Sequence, residues 1–378
     1  MKAVIAAGGT AGHINPALAI ADEFMRCEPH SEIVFMGRKD GMEQQLVTQR
    51  GYQLQPIDVR GFMRGFTWKK IKFNAGAVRR IFTASAQAKA FLRSFAPDVV
   101  IGCGGYVSGP VVREAAKLGI PTAIHEQNSF PGVTSRLLSS KVDLIFAANA
   151  DAAEALKQPE KTTVCGNPIN REILVADGDA LRRELGIGNR CCVLSFGGSL
   201  GAATINRVMA HTMAMAADRD DIFFLHATGQ YGEKSFSEML SGLGADAAKL
   251  PARISTYITD MPQCLAAADL VVSRSGAITI SELAAAGKAG YLIPSPNVSE
   301  NHQYFNALTL AKHGAAIVEE EKELDAQKTA EKILALAADQ TRLNEMGLAA
   351  RMEAVADAAQ RVYRHVRAHL DNLKNSAG

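Results

Sequence analysis

No two of the six cysteines (Cys27, Cys103, Cys165, Cys191, Cys192, Cys264) stand at the C-x-x-C spacing of zinc ribbons and dithiol redox motifs. They read as the reduced thiols of a cytosolic protein. The chain also lacks any run of about 18 apolar residues, which leaves only peripheral contact with a membrane. The uncharged segment from Ala3 to Ala21 is interrupted by Gly8, Gly9, Gly12, His13, Asn15 and Pro16, so strand, loop and helix are expected there rather than a secretory signal. No G-x-x-x-x-G-K-[ST] occurs, which removes the main support for phosphoryl transfer from ATP. Nor is there a clean G-x-G-x-x-G; Arg38 after the second strand, as a 2′-phosphate partner, keeps an oxidoreductase alternative. Charge of one sign is missing too: 41 Lys and Arg against 39 Asp and Glu leave +2, which argues against nucleic acid as a partner.

What is present is an alternation of short β-branched runs with helix-length segments. Lys2–Ala7, Glu32–Met36, Asp98–Ile101, Thr122–His125, Leu144–Ala147 and Thr163–Cys165 form one series. Cys192–Phe196, Ile222–His226, Arg253–Tyr257, Leu270–Ser273, Gly290–Ile293 and Ala316–Val318 form a second. This is the βαβ pattern of parallel sheets, so the expected class is α/β. At 378 residues, 47% of them hydrophobic, the length favours two domains with sizeable cores. The stretches Val4 to Gly12 and Val193 to Gly201 echo each other as strand, G-G-[ST]-x-G loop and helix, half a chain apart. Two Rossmann-like domains, each with its own first strand and glycine turn, explain that spacing. The boundary is expected near Gly166-Asn167-Pro168, giving domains 1–166 and 167–351, with a helical tail at about 352–378 packing back on the first.

Glycine turns between strand and helix let backbone N–H groups approach a diphosphate, and the helix N-terminus adds partial positive charge. Besides the two echoed loops, Gly102-Cys103-Gly104-Gly105-Tyr106 follows a strand and precedes a helix opening near Ser108-Gly109-Pro110. One such loop can be no more than a tight turn; three in one chain point to phosphate. In the second domain the strand Leu270–Ser273 runs through Arg274-Ser275-Gly276 into a helix that carries Glu282. A diphosphate on that N-terminus would leave Glu282 within reach of a ribose diol. The bland reading of Glu282, a solvated helix face, fits poorly with Ile278 and Leu283-Ala284-Ala285-Ala286 around it.

Taken together, Gly8-Gly9-Thr10-Ala11-Gly12-His13, Gly104 to Pro110, His125-Glu126-Gln127-Asn128, Gly166-Asn167-Pro168, Gly197-Gly198-Ser199, Arg274-Ser275-Gly276-Ala277 and Asn301-His302-Gln303 resemble one family in order along the chain. It is the lipid II-forming N-acetylglucosaminyltransferases of bacterial peptidoglycan synthesis, in glycosyltransferase family 28. The resemblance implies a GT-B fold, two Rossmann-like domains with parallel sheets facing across a cleft. It implies inverting transfer of N-acetylglucosamine from UDP-N-acetylglucosamine to the 4-hydroxyl of the muramoyl sugar of lipid I. The first domain would take the acceptor and meet the membrane; the second would bind the UDP-sugar. Carried over by residue, the donor site would include Thr10, Ala11, Gly12, Asn128, Arg171, Ser199, Ile258, Ala277, Ile278, Thr279, Ile280, Ser281, Glu282 and Gln303. Gly104, Gly105 and Tyr106 would hold the acceptor diphosphate. Two departures stand out: Asn170 occupies the place of the family's G-N-P-x-R arginine, with Arg171 after it, and Leu200 replaces a glutamine of some members.

Displacing UDP from an anomeric carbon needs a base for the attacking hydroxyl and charge stabilisation for the departing diphosphate. His13, closing the first glycine loop, is the first candidate base, with His125 and Glu126 at the end of an apolar strand as the second. No cofactor and no catalytic metal are expected. Asp177-Gly178-Asp179 and Asp218-Arg219-Asp220 have Asp-x-Asp spacing but lie in polar connections, and His365 and His369 lack a third ligand. Gln303, in the Asn301-to-Asn306 amide cluster, suits sugar hydroxyls. Rival functions are a UDP-N-acetylglucosamine epimerase, a soluble glycosyltransferase and a non-enzymatic two-lobed binding protein.

The +2 conceals two unlike halves. Residues 1–166 carry 20 basic and 14 acidic side chains and residues 167–378 carry 21 and 25, giving +6 and −4. From Val59 to Pro97 there are nine basic residues (Arg60, Arg64, Lys69, Lys70, Lys72, Arg79, Arg80, Lys89, Arg93) and no acidic one, with Trp68 among Phe62, Phe66, Phe73 and Phe82. Cations interleaved with large apolar residues suit an anionic lipid surface, which the family resemblance implies is the cytoplasmic face of the inner membrane. The alternative for the helical part is an amphipathic helix whose apolar face is core.

Overall fold

Along the first strand Ala3 and Ile5 enter one apolar cluster while Val4 and Ala6 enter another. Both faces are therefore covered, as a parallel sheet flanked by helices requires. The computed structural model describes residues 1–59, 68–198, 200–298 and 301–377. The chain forms two compact units, Met1–Asn170 with Ala356–Gly378, and Arg171–Val355.

In the first unit the strands are β1 (Lys2–Ala6), β2 (Glu32–Gly37), β3 (Gln53–Pro56), β4 (Val99–Gly102), β5 (Thr122–Glu126), β6 (Leu144–Ala147) and β7 (Thr162–Val164). They form a parallel sheet in the order β3-β2-β1-β4-β5-β6-β7. The connecting helices are α1 (Ala11–Cys27), α2 (Met42–Gln49), α3 (Trp68–Phe95), α4 (Gly105–Lys117), α5 (Val133–Ser139) and α6 (Ala150–Leu156). Strand β3 was not expected, because Gln53-Leu54-Gln55-Pro56 has no β-branched residue; as the edge strand it needs only one partner and tolerates its proline.

The second unit holds α7 (Glu172–Val175), α8 (Gly178–Glu184), α9 (Ala203–Met215), α10 (Glu233–Gly242), α11 (Met261–Ala267), α12 (Ala277–Ala286), α13 (His302–Ala311), α14 (Ala326–Ala337) and α15 (Gln340–Met352). They surround β8 (Cys191–Phe196), β9 (Ile222–Ala227), β10 (Ala252–Ser255), β11 (Leu270–Ser273), β12 (Ala289–Leu292) and β13 (Ala316–Val318), paired in parallel as β10-β9-β8-β11-β12-β13. The last helix, α16 (Ala358–Ala377), belongs to the first unit. Its Val362, Val366 and Leu370, one turn apart, are buried in the cluster that holds Ile20 and Phe24 of α1. Tyr363 meets the Phe24 ring edge-on at 5.2 Å and donates to the Glu28 carboxylate at 3.1 Å.

In each sheet the strand order reverses once, between β1 and β4 in the first and between β8 and β11 in the second. Loops leaving the carboxyl ends of strands at such a point diverge and open a crevice, the usual ligand position of open α/β sheets.

Candidate functional site

At the first switch point the loops after β1 and β4 touch backbone to backbone. A Cβ at Gly105, whose φ is +77°, would overlap the Gly8 carbonyl oxygen. Gly104, with φ at +96°, lies against the His13 ring, where a Cβ would meet Cδ2 at 2.5 Å. Ser108 on α4 ties the second loop to β1: its hydroxyl accepts from the Gly104 amide at 3.0 Å and lies 2.7 Å from the Ala6 carbonyl oxygen. Thr10 is the N-cap of α1, with Ala11 and Gly12 opening the helix. Half-buried His13 has Nδ1 3.1 Å from the Gly8 carbonyl oxygen and 3.2 Å from Thr10 Oγ1. Tyr106, at the start of α4, is 51% exposed. The structure thus brings Thr10, Ala11, Gly12, His13, Gly104, Gly105 and Tyr106 into one locality.

The other two base candidates are differently placed. His125 on β5 is fully buried; its Nε2 donates to the Gly166 carbonyl at 3.0 Å and its Nδ1 accepts from Gln127 Nε2 at 3.1 Å. Burial holds its imidazole below the usual range, so it is neutral, with both nitrogens committed to the fold. Glu126 is also buried: Oε1 accepts from the Asn128 amide (3.0 Å) and side chain (3.1 Å), and Oε2 from the Gly132 amide (3.0 Å) at the start of α5. That carboxylate orients Asn128 and holds Gly132, the residue before α5. Gln127, named in a sequence motif without a task, also donates to the Cys103 carbonyl at 3.0 Å and so ties β5 to the loop after β4.

At the second switch point Gly276 precedes α12 and supplies no side-chain cap to its first turn. A first turn has N–H groups with no intrahelical acceptor, and a helix dipole favours an anion there. Ala277, Thr279, Ser281 and Glu282 are half-buried, while Ile278 and Ile280 point into the core. Burial pushes the Glu282 carboxyl up to about 7. The Ser281 hydroxyl donates back to the Ala277 carbonyl at 3.1 Å. Helix α13 is stitched to this turn, because Ser275 Oγ donates to the Gln303 carbonyl at 2.8 Å and Gln303 Oε1 accepts from the Ser295 amide at 2.8 Å. Ile258 is buried in a core cluster, so only its backbone is offered to a ligand. Arg171 is exposed at the N-cap of α7. Ser199 lies outside the described residues; its neighbour Leu200 is 61% exposed.

Sequence reasoning placed Arg274 in a motif without assigning it a task. Its guanidinium lies 2.6 Å from the Glu321 carboxylate and donates to the Ile293 carbonyl at 3.0 Å, while Thr204 of α9 donates to Glu321 at 2.6 Å. The network links the loops after β8, β11 and β13, and only proximity in the fold reveals it. The Asp-x-Asp candidates are explained locally: Asp177 caps α8 by accepting from the Ala180 amide at 3.1 Å, and Asp218-Arg219-Asp220 sits at a turn where Arg219 pairs with Asp221 at 2.6 Å. Among the described residues no group of three or more His, Cys, Asp or Glu could hold a metal ion.

Much of the basic aromatic stretch lies outside the described residues: 60–67 entirely, and the side chains of 68–79 and 81, which include Trp68, Lys69, Lys70, Lys72, Phe73 and Arg79. Within the described part Arg80 pairs with Asp58 at 2.7 Å and Phe82 is 68% exposed.

Comparison with known proteins gives a consistent result. Residues 3–147 match the glycosyltransferase family 28 N-terminal domain, and residues 192–362 the family 28 C-terminal domain. A protein of Acetivibrio thermocellus, named UDP-N-acetylglucosamine–N-acetylmuramyl-(pentapeptide) pyrophosphoryl-undecaprenol N-acetylglucosamine transferase, is 40% identical over 100% of both chains. The crystal structure of Acinetobacter baumannii MurG, 26% identical, superposes with a TM-score of 0.74 over 97% of this chain and 99% of that one. A UDP-GlcNAc 2-epimerase from Neisseria meningitidis, bound to UDP-GlcNAc, superposes at 0.65 over 96% of this chain and 99% of its own with 14% identity, a likeness of fold alone.

Proposed function

The chain belongs to glycosyltransferase family 28, and from that premise we propose that it transfers N-acetylglucosamine from UDP-N-acetylglucosamine to the muramoyl 4-hydroxyl of lipid I, forming lipid II in peptidoglycan synthesis. The observation that carries this reading is the end-to-end match, at 40% identity, to a transferase named for that donor and acceptor. Glycine-turn loops at both switch points are what a diphosphate donor and a diphosphate-linked acceptor call for.

In the second unit the donor diphosphate rests on the first turn of α12 and the ribose diol on Glu282, with Thr279, Ser281 and Gln303 supplying further polar contacts. Arg274 holds the turn that carries α12 through its bonds to Glu321 and Ile293. In the first unit the loop Gly104-Gly105-Tyr106 takes the acceptor diphosphate, and Asn128, oriented by Glu126, is a donor contact. His13 is the general base. It accepts the proton of the 4-hydroxyl as that oxygen bonds the anomeric carbon from the face opposite UDP, and UDP departs with the electron pair. Helix dipole and backbone N–H groups stabilise the leaving diphosphate. His125 and Glu126 act as supports, since their polar atoms are spent inside the fold.

The protein works at the cytoplasmic face of the inner membrane as a peripheral enzyme. Among the described residues no helix is long and apolar enough to cross a membrane, and the basic aromatic stretch of residues 59–97 is the surface offered to anionic lipid. Replacing His13 by alanine tests the chemistry: turnover should fall by roughly 10²- to 10⁴-fold while titration with UDP-N-acetylglucosamine gives an unchanged affinity. Near-normal turnover in His13→Ala would contradict the assignment.

A further inference from the structure

Glu43 is an acidic side chain that the reaction above leaves unused, and its placement is costly. It is the second residue of α2 and only 1% exposed. Its Oε1 accepts a hydrogen bond from the Gly9 amide at 2.9 Å, and its Oε2 has no hydrogen-bond partner among the described residues. A buried carboxylate with one oxygen unsatisfied destabilises a fold. Space is nonetheless kept for it by three glycines: a Cβ at Gly8 or Gly41 would overlap its carboxylate oxygens, and one at Gly37 would meet its Cβ at 3.0 Å.

The Gly9 N–H shares a peptide unit with the Gly8 carbonyl. That unit is trans and planar, so its N–H and C=O point in opposite directions, and a group that fixes one fixes the other. On the far side the Gly8 oxygen lies 3.1 Å from His13 Nδ1. A carbonyl oxygen can only accept, so this contact puts the proton on Nδ1. In a neutral imidazole the lone pair then belongs to Nε2, the form a base needs. Nε2 lies on the Gly104 side of the ring, where a Cβ at Gly104 would meet it at 3.0 Å.

We infer that Glu43 is a positioning residue for His13, acting through the single peptide unit between Gly8 and Gly9. The inference rests on the reading of His13 as base. The carboxylate orients the peptide, and its charge polarises the unit so that the Gly8 carbonyl accepts more strongly from Nδ1–H. It thereby holds the tautomer and stabilises the imidazolium formed when Nε2 takes the hydroxyl proton. Arg38, Lys39 and Asp40, on the loop between β2 and α2, are exposed.

Two variants separate geometry from charge. Glu43→Gln keeps an acceptor oxygen and loses the charge; Glu43→Leu loses both at similar size. Nitrogen-15 NMR of histidine-labelled protein, with the His13 signals assigned by their loss in His13→Ala, should show Nδ1–H in the wild type and in Glu43→Gln and a tautomer mixture in Glu43→Leu. The kcat should fall in the order wild type, Gln, Leu, by roughly tenfold or more for Leu, with the donor KM held within about twofold. An unchanged tautomer and kcat in Glu43→Leu would overturn the inference. So would equal loss in both variants that tracks only a lowered melting temperature. If the tautomer follows Glu43 while His13→Ala still turns over, the relay stands and the base assignment is what fails.

Discussion

Glu282 shows how one environment sets both a binding preference and a liability. Its carboxyl is pushed up to about 7 by burial, against an ordinary glutamate value near 4.5. Only the ionised form accepts from both diol hydroxyls at its two oxygens, so donor affinity should rise between pH 6 and 8, with proton release on binding. The stability effect has the opposite sign. A carboxyl whose folded value is raised favours the folded state fully below about 4.5, and that contribution is lost as pH climbs through about 7. Glu282→Gln should therefore melt higher than the wild type at pH 8 and equally at pH 4, while binding UDP roughly 10- to 100-fold more weakly. Calorimetry at the two pH values and a UDP titration check both. At this scale the sequence singled out residues where a residue type met a motif, as for His13, Glu282 and Gln303. It was silent where a partner came from a distant segment. Nothing in Gly41-Met42-Glu43 announces the Gly9 amide, and nothing around Arg274 announces Glu321. His125 and Glu126 looked like a reactive pair because polar residues ended an apolar strand, yet Gly166 and Gln127 take both His125 nitrogens, and Asn128 and Gly132 take both Glu126 oxygens.

The elements were far more legible than the pairings between side chains. Strands such as β1, β4 and β8 are short, largely apolar and buried on both faces, which a linear pattern captures. Strand β3 escaped because an edge strand needs only one neighbour and carries no such pattern. The G-G-[ST]-x-G echo located both first loops, but not the contact between the loops after β1 and β4, which depends on Gly105. Gly105→Ala places a Cβ on the Gly8 carbonyl oxygen at a φ of +77°. It should lower the melting temperature and raise the acceptor KM more than the donor KM. Gly119→Ala is the control: its φ is +71° with open space around the Cβ, so only the left-handed strain of about 1–2 kcal/mol applies and the kinetics should not move.

Across the whole molecule the small net charge is an average of two unlike parts, +6 over residues 1–166 and −4 over residues 167–378. Under the proposed reading that asymmetry suits docking of the first unit on anionic lipid, each cation near the surface contributing about 1 kcal/mol. Vesicles with anionic headgroups should bind the protein at low salt and release it near 0.5 M, where screening shortens the reach of surface charge to roughly 4 Å. Joint replacement of Trp68, Lys69 and Lys70 should weaken the binding by about tenfold or more, and equal binding to neutral vesicles would contradict the electrostatic account. Fold alone does not separate the transferase from its rivals, since an epimerase superposes over nearly the whole chain. The most direct measurement supplies UDP-N-acetylglucosamine with and without a polyprenyl-diphosphate muramoyl-pentapeptide acceptor, follows UDP release, and reads the product linkage by NMR. UDP should be released only with acceptor, one per acceptor consumed, leaving a β-linked N-acetylglucosamine on the muramoyl 4-oxygen. Consumption of the UDP-sugar without acceptor, or no release in its presence, would contradict the account.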